Sequence, residues 1–536
     1  MKSLCFYWLK PFQPSILISK QNFDRVLKML GKVHTASLLG VDARLVEVEA
    51  DISRGVPYFH IVGLPDPAVK ESKVRVKSAL ANSGYNFPGN QRVVINLAPA
   101  DLRKEGSGFD LPIALAILSA QKILNRDKLK EFLFFGELGL DGVLKPTPGA
   151  LIYALLAKER ARKKILLPLA NLREASVVEG VEVYGARSLA EAVEFLNGEK
   201  ELEPGFVRAE ELFTLSEAEL CLSEVRGQES AKRALEVSAA GGHNLLMIGP
   251  PGAGKTMLAQ RLSGILPRLS LEEGLETTRV YSVLGLLSNN QPLITRRPFR
   301  APHHTISDAG LVGGGIYPKP GEISLAHNGV LFLDELPEFK KNVLEALRQP
   351  MESGKVTISR AQGSITYPAR FMLVCAMNPC PCGYLGDSHH PCRCTPRQIQ
   401  QYRAKVSGPL LDRIDLQIEV PAVRYRELAG EPKGETSEEV RQRVERAREM
   451  QKQRFKRARI YCNAQMNSRQ IQKYCQIDQQ GHQLLERAVD RLGISARGWS
   501  RILKVARTIA DLEESEQILP RHLSEAISYR VLERAV

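Results

Sequence analysis

Gly249-Pro250-Pro251-Gly252-Ala253-Gly254-Lys255-Thr256 fits G-x-x-x-x-G-K-[ST], the phosphate-cradling loop of nucleotide hydrolases. The glycines let backbone N–H groups turn inward around phosphates. Lys255 supplies a point charge to the β- and γ-phosphates, and the Thr256 hydroxyl ligates Mg²⁺. Such a loop needs a strand before it and a helix after it. Apolar Leu245–Ile248 and helix-compatible Met257–Ser263 supply both, and the helix N-terminus adds a favourable dipole. Further on, apolar Val330–Leu333 ends at Asp334-Glu335. Asp334 is placed to meet Mg²⁺ and Glu335 to polarise an attacking water. Phe371–Met377 is another apolar strand, and Asn378 at its tip can help orient that water. In Gly408–Asp415 (GPLLDRID), Arg413 falls at a helix end. A guanidinium there stabilises charge spread over a transferring phosphoryl group, or it pairs locally with Asp412 or Asp415.

Cys380, Cys382, Cys392 and Cys394 form C-x-C-x₉-C-x-C. Four thiolates this close can close a tetrahedral Zn²⁺ site, and four cysteines leave no open position for catalysis. His389 and His390 lie in the intervening loop and could substitute for a sulfur. The alternative is a reduced loop without metal. His303 and His304 could ligate a metal, but with no partner cluster nearby they read as structural.

These residues must be held by a large chain. At roughly 150 residues per domain, 536 residues predict three or four domains. Apolar residues at 43% and charged residues at 25% describe a globular protein, excluding disorder throughout and collagen-like or disulfide-framework classes. The formal net charge of +14 favours an anionic partner, nucleic acid first. No apolar run is long enough to span a bilayer, and no secretory signal is legible. Nine cysteines, four of them clustered, point to a reducing compartment, hence a cytoplasmic protein.

Residues 1–28 differ in character from the rest of the chain and read as an extension or a mis-called start. Residues 29–196 form a first domain. Within it Ala43–Asp51 alternates as a half-buried strand does, Arg92–Leu97 is a second strand, Phe109–Ala120 is a buried helix, and Phe132–Phe135 starts a strand that turns at Asp141-Gly142. Residues 197–222 are an acidic linker and 223–428 the nucleotide core. Residues 429–462 form a basic helical connector whose 441–459 portion holds nine basic and two acidic residues, available for phosphate contacts or simply solvated. Residues 463–536 read as a helical lid.

Taken together these motifs resemble the AAA+ superfamily. More closely, the chain is similar to the ComM/YifB family of magnesium-chelatase-like ATPases. The resemblance rests on GVDARLVEVEADISRGVPYFHIVGLPD (40–66), RKEGSGFDLPIALAIL (103–118), FRAPHHTISDAGLVGGG (299–315), NPCPCGYLGD (378–387), CRCTPRQIQQY (392–402), GPLLDRIDL (408–416) and ARGWSRILKVARTIADL (496–512). It implies an α/β chain: an N-terminal Lon-protease-like domain of ribosomal S5 domain 2 type, then an AAA+ P-loop NTPase core with a C-terminal helical lid. It implies hexameric rings that hydrolyse ATP with Mg²⁺ between subunits. Arg413 would be the arginine finger and Arg497 the sensor-2 arginine, with Arg501 the runner-up. The family is associated with DNA branch migration during natural transformation. Related chelatase and helicase ATPases carry two insertions, here within His303–Pro320 and the hairpin Lys355–Pro368. Such hairpins grip DNA phosphate, which makes Lys355 and Arg360 the candidate DNA contacts, without sequence preference.

A Lon-type protease needs a serine activated by a lysine. By alignment Gly108 stands at the serine position, with Ser107 one residue off, and the lysine position falls near Leu151 in PTPGALIYAL. Without an amine to take its proton a hydroxyl is a poor nucleophile. The expectation is therefore an ATP-driven DNA motor with a non-proteolytic N-terminal platform. Its rivals are a metal-insertion ATPase, a Lon-like protease and a DNA-binding scaffold with a dead ATPase.

Overall fold

The computed structural model describes residues 30–530 apart from 161–162, 215–219, 289–290, 316–317, 361–362, 388–389, 423–433, 457 and 459. The extension at 1–28 and His389 lie outside the described residues. The chain divides into two compact units, 1–38 with 42–206, and 39–41 with 207–536.

In the first unit a four-stranded sheet runs in the order Leu30–Leu39, Asp42–Ser53, Arg92–Ala98, Tyr58–Val62. Asp42–Ser53 pairs antiparallel with Arg92–Ala98, and Tyr58–Val62 lies parallel to it. Val46, Val48, Ala50 and Ile52 alternate inward, as a one-faced strand requires. They meet helices Pro67–Asn82 and Asp110–Ala120, the second buried along its whole length. That helix comes very close to the first strand: a Cβ on Gly31 would sit 2.1 Å from the Ala116 carbonyl oxygen, so only glycine fits. A second, parallel sheet joins Phe132–Phe134, Lys164–Pro168 and Glu182–Ala186.

The second unit is built on a five-stranded parallel sheet, ordered Phe299–Arg300, Val330–Leu333, Met372–Met377, Leu245–Ile248, Leu416–Glu419. Its central strands are apolar at every position because both faces are covered. Leu245, Met247, Val374 and Ala376 face helices Glu229–Gly241, Lys255–Ile265, Ser437–Arg454 and Ala496–Leu512. Leu246, Ile248, Leu333 and Cys375 face the opposite core, which also takes Val356, Ile358 and Tyr367 from a hairpin, Lys355–Arg360 paired with Gly363–Pro368. Parallel strands end at one edge of a sheet, where open α/β folds place their ligands. That edge carries the segments after Ile248, Leu333 and Met377. Among the described residues no helix is long and apolar enough to cross a membrane.

The helix Ser437–Arg454 corrects one expectation. Most of its arginines are braces rather than a free basic face. Arg443 pairs with Glu236 at 2.6 Å and Glu435 at 2.7 Å, Arg454 with Asp511 at 2.6 Å, and Arg448 donates to the Ala239 carbonyl at 3.0 Å. Arg446 and Lys452 stay largely exposed.

Candidate active site

Gly252 and Gly254 have φ of 76° and 81°, a left-handed backbone that glycine adopts without strain. A Cβ at either would meet nothing within 4 Å, so the loop is an open cradle of the kind a phosphate chain fills. Lys255 begins the helix behind it and is buried. Its Nζ donates to the Gly249 and Pro250 carbonyls at 2.7 and 2.9 Å and to Asn378 Oδ1 at 3.2 Å. Desolvation lowers its pKa, and the Asp334 and Glu335 carboxylates oppose that. The next residue, Thr256, donates its hydroxyl to Asp334 Oδ2 at 2.7 Å. A hydroxyl and a carboxylate in contact are a hard oxygen pair suited to Mg²⁺.

Glu335 stands in the left-handed region at φ 52°, an uncommon state for a residue with a Cβ. Such strain gathers at functional positions. Its N–H bonds to Asp334 Oδ1 at 2.9 Å, and its Oε2 lies 3.4 Å from His304 Nδ1. His304 packs against His303, with ring centroids 4.0 Å apart and the planes tilted by 34°. His304 thus lies beside the Glu335 carboxylate, a contact the sequence reading did not foresee. Gln228 was also not foreseen. Its Nε2 ties the loop at the Ala253 carbonyl (2.8 Å) to the Pro421 carbonyl (3.1 Å). A cavity of about 460 Å³ opens beside Glu335 and Asn378, with Tyr402, Gln401 and Lys405 on its wall.

The four clustered sulfurs come together, all within 4.8 Å of one another. Cys380 Sγ is 3.4 Å from Cys382 Sγ and 3.7 Å from Cys392 Sγ. Backbone N–H groups of Tyr384 and Arg393 pull the Cys382 thiol down to about 6. The Cys382 N–H also favours a Cys394 thiolate, but desolvation and the neighbouring sulfurs outweigh it and push that thiol up to about 12. Four sulfurs so close cannot all ionise unaided, and a divalent cation at their centre reverses that. The donor set fits zinc. His390 stays outside the cluster, 3.6 Å from Asp387 and largely exposed.

A family model described as "Magnesium chelatase, subunit ChlI" matches residues 221–428, the sheet and crevice just described. "Subunit ChlI of Mg-chelatase" matches 48–171, and "Magnesium chelatase, subunit ChlI C-terminal" matches 434–530. The chain is 47% identical over 510 residues to Competence protein ComM of Haemophilus influenzae, covering 94% of this chain and 98% of that one. It is 48% identical over 507 residues to the Escherichia coli protein YifB, with the same coverage. The chain belongs to the ComM/YifB family. It is thus a magnesium-chelatase-like AAA+ ATPase with a C-terminal helical domain. The magnesium-chelatase 38 kDa subunit of Cereibacter sphaeroides is a more distant relative, 26% identical over 174 residues, which is 29% of this chain and 52% of that one.

Within this ComM/YifB chain the arginines separate. Arg497 is exposed in the first turn of Ala496–Leu512. Arg501, one turn on, is taken up by Asp415 and by the Arg413 carbonyl at 3.2 Å. Arg413 pairs with neither Asp412 nor Asp415. Its guanidinium meets the Glu352 carboxylate and donates to the Pro409 carbonyl at 2.6 Å. Lys355 and Arg360 are exposed at opposite ends of the first hairpin strand. In the first unit Ser107 donates to the Glu137 carboxylate, Lys104 Nζ to the Pro99 carbonyl, and Leu151 is fully buried.

Proposed function

We propose that this ATPase is a DNA motor: a ring, hexameric by family resemblance, that hydrolyses ATP between neighbours and promotes branch migration during DNA recombination in natural transformation. The observation that carries the reading is the meeting of Lys255, Thr256, Asp334, Glu335 and Asn378 in one crevice of a unit that also projects an exposed, arginine-bearing hairpin. ATP would be held by the 249–256 loop, with Lys255 on its β- and γ-phosphates. Thr256 and Asp334 would hold Mg²⁺, whose chemistry is to neutralise charge on the phosphate oxygens. Glu335 polarises the attacking water, and Asn378, which already accepts from Lys255, orients it. Arg413 acts on the nucleotide of the adjacent subunit, and Arg497 acts from the lid.

Lys355 and Arg360 contact DNA phosphate regardless of sequence. The +14 charge and the name of the Haemophilus influenzae relative, Competence protein ComM, support a nucleic-acid partner. Zn²⁺ at Cys380, Cys382, Cys392 and Cys394 braces the segment after Asn378. The N-terminal unit is a Lon-like platform without protease activity, because Ser107 faces a carboxylate and not an amine. We place the protein in the cytoplasm.

A metal-insertion motor is the second reading. It is favoured by the chelatase family models, but relatives named as chelatase subunits align with only 29% of this chain.

ATP turnover with and without single-stranded DNA tests the leading reading. DNA is expected to stimulate turnover severalfold. Lys255→Ala and Glu335→Gln are each expected to lower it by about two orders of magnitude or more, the scale of losing a principal phosphoryl-transfer group. Normal turnover in either variant refutes the site. Turnover indifferent to DNA in the wild type refutes the motor.

A further inference from the structure

We infer that Glu352 is a positioning residue that retains Arg413 inside its own subunit until load on the Lys355–Pro368 hairpin releases it. The inference rests on the reading of Arg413 as acting on a neighbour's nucleotide. It adds what controls that action.

Arg413 is 6% exposed, and its guanidinium is incompletely satisfied. Nη1 has the Pro409 carbonyl and Nη2 the Glu352 carboxylate, but Nε is buried without a hydrogen-bond partner among the described residues. A buried donor left unmade is costly. The counter-ion is a weak anchor, since the Glu352 side chain is 60% exposed.

The backbone beneath this side chain is fixed independently. The Arg413 carbonyl accepts from Asn244 Nδ2 at 2.9 Å and Arg501 Nη1 at 3.2 Å, and its N–H donates to the Leu410 carbonyl at 2.9 Å. The arrangement is a fixed base with a side chain held by one surface carboxylate and one backbone carbonyl. Arg448 and Arg501 also leave Nε unpartnered among the described residues, so what sets Arg413 apart is the exposure of its carboxylate partner; Arg507, by contrast, pairs with the fully buried Asp511.

The location of Glu352 supplies the control. It lies on the short helix Arg348–Ser353, which ends at Gly354 in the left-handed conformation (φ 65°), and the hairpin starts at the next residue. Ser353 Oγ donates to the Lys355 carbonyl at 2.9 Å and accepts from the Lys355 N–H at 3.3 Å. The Ala369 N–H donates to the Gly354 carbonyl at 2.9 Å, closing the hairpin base on the helix end. Buried Val356, Ile358 and Tyr367 make the stem stiff. Force on the exposed strand of this hairpin therefore acts at Gly354, two residues from Glu352. DNA drawing the hairpin aside would withdraw the carboxylate and free Arg413 to reach outward. Hydrolysis would then depend on DNA through one ion pair.

The test uses the full chain and measures ATP turnover with and without a single-stranded oligonucleotide. Glu352→Gln is expected to raise DNA-free turnover roughly two- to fivefold, the range of a partly exposed ion pair, with KM for ATP unchanged. The DNA-stimulated rate should stay at the wild-type level, so the stimulation ratio shrinks. Arg413→Ala, alone or combined with Glu352→Gln, should be equally slow. Wild-type basal turnover and stimulation in Glu352→Gln beside a slow Arg413→Ala overturns the latch alone. Normal turnover in Arg413→Ala overturns the reading of Arg413 itself. Should Glu352→Gln melt early, Glu352→Asp, which keeps the charge and shortens its reach, is expected to show the same rise at smaller amplitude. No rise there also overturns the latch.

Discussion

Asn378 joins two pieces of chemistry. Its Oδ1 accepts from Lys255, and two residues later the chain enters the four-cysteine loop. That loop leans on the nucleotide cradle, because a Cβ on Gly383 would lie 2.5 Å from Pro251 Cδ. A cation at the sulfurs would therefore stiffen both the cradle and the Asn378 amide. Reduced protein is expected to carry one zinc per chain by metal analysis. Cys380→Ser or Cys392→Ser should lose it, melt several degrees lower and hydrolyse ATP more slowly. Protein that binds no zinc under reducing conditions would leave the cluster a plain thiol loop. Lys255, Thr256, Asp334 and the four cysteines were legible in the sequence because their chemistry imposes residue type and spacing together. Glu352, His304 and Gln228 were not. The partner of Arg413 is 61 residues away, and the Gln228 contact to Pro421 spans 193, so no local pattern could announce either.

Elements were legible where burial is two-sided. Leu245–Ile248 and Val330–Leu333 run continuously apolar and are strands at the expected residues, and the hairpin Lys355–Pro368 lies where the family resemblance implied it. The helix Ser437–Arg454 was the harder case, because a basic stripe looks the same whether it faces water or distant carboxylates such as Glu236 and Asp511. How the lid grips the core was also invisible. Asp415, at the start of the last core strand, lies 3.4 Å from His243 Nδ1 and pairs with Arg501 of the lid helix, while His243 Nε2 meets Thr508 Oγ1 at 2.8 Å. Burial alone would raise the Asp415 pKa. Arg501 and His243 outweigh burial and hold it well below the usual carboxylate range. A depressed carboxylate gives stabilisation that is complete above its unfolded value, about pH 4, and is lost as pH falls through the folded value. Asp415→Asn is expected to cost about 3 kcal/mol at neutral pH, as breaking a buried pair does. In denaturant titrations the gap to wild type should hold constant from about pH 5 to 8 and narrow well below pH 4. A gap independent of pH would remove the charge from the lid's attachment.

At the scale of the whole molecule the +14 charge needs to be located before it can argue for a partner. Many basic side chains have internal duties: Arg233 with Glu525, Arg297 with Glu273, Arg300 with Glu322, Arg454 with Asp511. A charge already neutralised releases no counterions when DNA arrives, so net charge overstates the binding surface. Arg360 is different. It is exposed at the distal end of its hairpin strand. If Arg360 meets one phosphate, Arg360→Ala should weaken DNA binding about equally for all sequences and lower the slope of log K against log salt by about one. Arg446→Ala, which removes an exposed arginine 3.6 Å from Glu514, should leave that slope nearly unchanged if the hairpin is the contact. The opposite ranking would move the DNA to the Ser437–Arg454 helix and leave the hairpin, and with it the control of Arg413, without a load to sense.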